Sequence, residues 1–97
     1  MQAQQSTAPD VASRTAMDSA IELVRAKAPE TRFGRLTARP IPNSDKYIQV
    51  NRVDAAGVAL SGGWTFLVDV PKQTVVRTAV DPDNFDVKSA VRHGMVC

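Results

Sequence analysis

A chain of 97 residues with 43% apolar and 23% charged content can build one domain with a modest core, and is too short for a second. That balance is typical of ordinary globular proteins and excludes an intrinsically disordered chain. The formal net charge is only +2, and eight of the twelve cations are arginine, so a pI near 9.0 overstates the basicity and net charge alone attracts polyanions weakly. No apolar run approaches the roughly 18 residues that span a bilayer.

Residues 1–9 are polar or small and carry no charged side chain. They read as a flexible tail ahead of a single domain over residues 10–97. The composition fits a mature terminus from which a signal peptide has been removed, which places the protein in the periplasm or outside the cell. A cytoplasmic protein with a frayed start is the alternative. Cys97 is the single cysteine, so an internal disulfide is excluded, and the expectation is a frayed, unpaired end on a monomer or weak dimer.

Thr7, Pro9 and Asp10 together have the form of a helix start. Met17, Ala20, Ile21, Val24 and Ala28 then recur at i, i+3, i+4, i+7 and i+11, one apolar stripe of a helix that Pro29 ends. Asp18, Glu22 and Arg25 lie off the stripe at helix-surface spacings. Thr31 to Arg39 reads as a strand with irregular alternation, weakened by Gly34, and the prolines at 40 and 42 make the segment to Asp45 a connection.

Lys46 to Val53 is the next strand, with Ile48 and Val50 on one face and Tyr47, Gln49 and Asn51 on the other. Asp54 to Gly57 is a turn, Val58 to Leu60 a continuation of the pairing, and Gly62–Gly63 a bulge or bend. Trp64, Phe66, Val68 and Val70 alternate with Thr65, Leu67 and Asp69, the mark of a strand with one buried face. A tight turn at residues 70–73 leads into the β-branched run Thr74–Val80. Asp81 and Pro82 announce a short helix that Gly94 stops.

The expected fold is α+β: one N-terminal helix packed on a three- to four-stranded antiparallel sheet, followed by a short C-terminal helix. The face of Trp64, Phe66 and Val68 is its core, with Trp64 near the rim and Met17, Ile21 and Val24 opposite.

The common catalytic signatures do not form. His93 is the only histidine, and Gly94 breaks the helix between it and Cys97. Asp81, Asp83 and Asp86 fail the EF-hand pattern, because Phe85 and Asp86 stand where an oxygen ligand and a glycine are needed. Ser61-Gly62-Gly63 lacks the spacing of a nucleophile elbow or a phosphate loop. Asp69 has no second acid fixed near it, and is expected to face solvent or bond to the Lys72 turn. The expectation is therefore no enzyme, no cofactor and no metal.

The cations are distributed less evenly than the net charge implies. From Arg14 to Arg52 there are eight cations against four anions. Arg35, Arg39, Tyr47 and Arg52 are the candidate partner-binding surface, for an acidic protein, a polyanionic glycan or nucleic acid. Arg32 and Arg35 have opposite parity on an ideal strand. The bland reading of these cations is a solvated face that blunts an exposed edge.

The run from Tyr47 to Val50, followed by Trp64-Thr-Phe66-Leu-Val68-Asp69-Val70 and the return strand to Val75, resembles the small exported PepSY-type modules of bacteria. The likeness covers about Thr15 to Arg77. It departs from the pattern at Lys72-Gln73, where a glycine is usual, and in the long connection from Pro40 to Asp45. The resemblance implies an exported binding or inhibitory module and supplies no catalytic residues. The reading is a non-catalytic protein-binding module of inhibitor or immunity type, with a nucleic-acid-associated module as the alternative.

Overall fold

The computed structural model describes residues 13–41, 44–60, 65–79 and 85–97. Its elements in chain order are α1 (Arg14–Lys27), a 3-10 turn (Pro29–Thr31), β1 (Arg35–Pro40), β2 (Tyr47–Val53), β3 (Thr65–Asp69), β4 (Thr74–Thr78), α2 (Val87–His93) and β5 (Met95–Val96). The five strands form an antiparallel meander in the order β1-β2-β3-β4-β5. The fold is α+β as expected, with one strand more than the sequence suggested. Among the described residues no helix is long and apolar enough to cross a membrane.

Ser13 caps α1, its hydroxyl accepting from the Ala16 N–H at 3.0 Å. The Thr7–Asp10 start signal lies outside the described residues. Ala28 closes the helix by donating its N–H to the Val24 carbonyl, and Pro29 opens the 3-10 turn. The apolar stripe faces the sheet as its spacing requires. Ala20, Val24 and Ala28 are buried, with Met17 and Ile21 half-buried beside them.

Opposite the stripe lies one face of the sheet, called inner here. Leu36 and Ala38 of β1, Ile48 and Val50 of β2, Phe66 and Val68 of β3, and Val75 of β4 all belong to it. The register places them side by side, Ala38 against Val50, Val50 against Phe66, and Val68 against Val75. Trp64 and the Gly62–Gly63 bend lie outside the described residues. The continuation after β2 is present, with Val53 bridged to Ala59 across the Asp54–Gly57 turn.

The outer face carries a smaller apolar cluster, in which Leu67, Ile41 and Ala90 are buried against Tyr47, Val76, Phe85 and Val87. It brings α2 onto the sheet beside β4. Asp86 caps α2, accepting from the Ser89 N–H at 3.2 Å and the Ser89 hydroxyl at 3.1 Å. These hydrogen bonds hold its carboxyl below the usual aspartate pKa. The sequence-based cap, Asp81, lies outside the described residues.

Gly94 ends α2 as expected. A Cβ there would lie 2.2 Å from a Val76 methyl and 2.4 Å from the Ala90 carbonyl oxygen, so only glycine permits this close return. The return is what makes β5, a strand the sequence reading lacked. Cys97 is not frayed: its N–H donates to the Val75 carbonyl at 2.9 Å and its side chain packs at the margin of the inner core.

The β3–β4 turn closes with the Gln73 N–H donating to the Val70 carbonyl at 3.3 Å, and Asp69 accepts from the Lys72 N–H at 3.2 Å. Gln73 takes a φ of 54°, a left-handed conformation that costs a side-chain-bearing residue about 1–2 kcal/mol. Gln73→Gly is therefore expected to stabilise the domain by about 0.5–1 kcal/mol in urea melts, after the greater freedom of glycine in the unfolded chain is subtracted. Phe66 is wholly buried at the centre of the inner face. Phe66→Ala is expected to cost about 3–5 kcal/mol in the same melts, and a near-neutral value would be incompatible with this core.

Candidate interaction surface

β1 is an edge strand whose side chains alternate strictly. Leu36 and Ala38 turn toward α1, while Arg35, Thr37 and Arg39 are exposed on the outer face. Arg39 stands opposite Gln49 in the register, and Tyr47 follows two residues back along β2 on the same face. Arg35, Arg39 and Tyr47 thus share one side of the sheet. Arg52 does not: it pairs with Leu36 and belongs to the opposite side, where its Nη2 donates to the Phe33 carbonyl at 3.3 Å. Its even-numbered parity with Ile48 and Val50 was visible in the sequence, so the physical reason for the split is the pleat itself.

Tyr47 is half-buried against the α2 cluster, with the Lys46 ammonium 4.8 Å from its ring centroid. That seat leaves it less open than an exposed strand residue. The outer face between Arg39 and β3 is polar yet closed to solvent, with Gln49 at 3% and Asn51 at 4% exposure. A hydrogen-bonded ladder satisfies these groups. Arg39 Nε donates to Gln49 Oε1 at 3.3 Å, Gln49 Nε2 to Asn51 Oδ1 at 2.8 Å, and Asn51 Nδ2 to Thr65 Oγ1 at 2.9 Å. Arg39 is therefore tied at one end to a buried network that fixes its direction.

The residues around the start of β1 have roles that sequence reasoning did not distinguish. Arg25, read as a helix-surface residue, is half-buried and reaches across to the following segment. Its Nη1 donates to the Thr31 carbonyl at 2.5 Å and the Arg32 carbonyl at 3.3 Å, and its Nη2 to the Gly34 carbonyl at 3.1 Å. Thr31 is fully buried and donates its hydroxyl to the Ala28 carbonyl at 2.7 Å. Phe33, assigned to a strand on sequence grounds, precedes β1 and is 81% exposed. The irregular alternation around Gly34 was the signal that the strand starts later.

Concavities lined by described residues flank the sheet. A groove of about 500 Å³ runs between α1 and the β3–β4 turn, bordered by Ala16, Leu23, Val68 and Val70 with the carboxylates of Asp18 and Glu22. A second, of about 640 Å³, lies between the start of β2 and α2, with Tyr47, Phe85, Lys46 and Lys88 on its walls. Among the described residues no three His, Cys, Asp or Glu side chains gather in a metal-binding group. Asp81 and Asp83 of the calcium pattern lie outside those residues, and Asp86 serves as the α2 cap. Asp69 is buried and bonded to the turn, and His93 is exposed on α2 while Cys97 packs on the inner core.

No protein-family model, curated protein or solved structure matches the chain.

The ladder on the outer face has a measurable energetic role. Asn51→Ala removes an acceptor from Gln49 and a donor from Thr65 in a site closed to water. It is expected to destabilise the domain by about 1–3 kcal/mol in urea melts, the cost of buried groups left without partners. A loss below about 0.5 kcal/mol would mean that the ladder is not held together as these distances imply.

Proposed function

We propose that this chain is a non-catalytic protein-binding module of inhibitor or immunity type, exported by a bacterium into the periplasm or beyond. The observation that carries the reading is the edge strand β1, which displays Arg35 and Arg39 from one face at an open side of the sheet. Arginine beside aromatic or apolar surface is the composition of protein-interface hot spots. Its anchoring to the Gln49 ladder lowers the entropy lost when Arg39 is immobilised in a complex. The exported setting rests on the resemblance of the β2–β4 region to PepSY-type modules.

The nucleic-acid reading draws on the same cations. It receives less support, because Tyr47, the aromatic expected to stack on bases from this face, is half-buried with Lys46 over its ring.

The test is capture from a periplasmic extract with the immobilised full chain and its Arg35→Glu/Arg39→Glu variant. A protein retained by the wild type and lost, by about tenfold or more, from the variant is the expected result. Identical capture by both would remove this face from consideration. Retention of the wild type on immobilised DNA at low salt, falling steeply as salt rises, would favour the nucleic-acid reading instead.

A further inference from the structure

The segment between the 3-10 turn and β1 holds an aromatic ring out in solvent on a backbone whose carbonyls are all engaged. The Thr31, Arg32 and Gly34 carbonyls accept from Arg25, and the Phe33 carbonyl accepts from Arg52. Gly34 makes this possible, with a φ of 141° and an Arg52 Nε that would lie 2.8 Å from any Cβ at that position. Two guanidinia from α1 and β2 therefore fix the shape of the tip. Phe33 nevertheless contributes nothing to either core, at 81% exposure.

Charge at the tip is one-signed. From Lys27 to Arg39 the chain carries four cations and a single carboxylate, Glu30, which is ion-paired with Arg77. Arg32 and Arg35 are both exposed, on either side of Phe33, and among the described residues neither is engaged in an ion pair. An aromatic on a pinned backbone, flanked by two exposed arginines, fits a surface that offers an apolar pocket bordered by carboxylates.

We propose that the Arg32–Arg35 tip is the anchor by which the domain docks on an acidic protein. Phe33 enters a pocket on that partner, and Arg32 and Arg35 pair with carboxylates at the pocket rim. This deepens the protein-binding reading and rests on it. Single-stranded nucleic acid fits less well, since its binding uses successive aromatics along a cationic groove and the tip presents one ring. An anionic bilayer fits less well too, since surface recognition uses clusters of four to eight cations, more than flank Phe33 here.

The probe is a random glutamate–tyrosine copolymer, which offers carboxylates beside apolar rings, titrated into the isotope-labelled full chain and followed by amide NMR. Polyglutamate serves as the charge-only comparison. Shifts centred on residues 32–35 are expected with the copolymer. Phe33→Ala should weaken copolymer binding about tenfold or more and leave polyglutamate binding unchanged, while Arg32→Glu/Arg35→Glu abolishes both. Because Phe33 is outside the cores, its variant should melt with the wild type, which separates binding from folding. Copolymer binding by Phe33→Ala equal to wild type would overturn the anchor. If Arg35→Glu/Arg39→Glu still lost its captured partner in that case, the broader reading would survive without it. A tip that responds to a DNA oligonucleotide or to mixed phosphatidylcholine–phosphatidylglycerol vesicles, and not to the copolymer, would overturn the proposal as well.

Discussion

The contact between the Ala20–Val24–Ala28 stripe and the inner face of the sheet is the constraint on which the other features depend. The meander itself is assembled from local pairings, each strand hydrogen-bonded to its neighbours in sequence. A sheet of this kind has two faces to remove from water, and its turns cannot cover either. The small residues Ala20 and Ala28 let α1 approach closely, and Val24 and Phe66 fill the space between them. With the helix in place, parity on every strand is fixed, because a slip of one residue would carry Gln49 and Asn51 into the apolar layer. The Gln49–Asn51–Thr65 ladder enforces the same register from the opposite side.

Fixing parity also decides what the edge can present. Leu36 and Ala38 must face α1, so Arg35, Thr37 and Arg39 must face away. Such cations on an edge strand discourage uncontrolled strand pairing, and that alone is sufficient reason for them to be there. The Arg39–Gln49 bond adds something this role does not require, a fixed direction for one of the charges. Arg52 shows the converse. Its position on the inner side removes it from the displayed set and assigns it to the backbone around Phe33.

Periodicity was readable where many residues repeat it, and unreadable where one contact decides. The α1 stripe and the parities of β2 and β3 follow from recurring apolar positions, each reinforcing the next. Helix starts were less secure. Ser13 and Asp86 are the observed caps, although Thr7 and Asp81 carry equally good capping chemistry nearby. β5 has only two residues and exists because Gly94 allows a close return, which no local pattern announces. Of the candidate surface, the common face of Arg35, Arg39 and Tyr47 follows from parity. The half-burial of Tyr47 does not, because it depends on where α2 lands.

Arg25 and Phe33 illustrate the same limit at the tip. By spacing, Arg25 is one more cation on a helix surface, and Phe33 is one more residue of an irregular strand. Their roles are exchanged in the folded chain: the charged residue is drawn inward by three carbonyls and the aromatic is left outside. A carbonyl-rich bend that ends in a left-handed glycine needs donors, and a guanidinium supplies several in one plane. With Arg25 and Arg52 holding that bend, Phe33 stands outside both apolar clusters of the described residues. Its exposure is thus a consequence of how the backbone is satisfied, and the two arginines that fix the bend are distinct from the two that flank the ring.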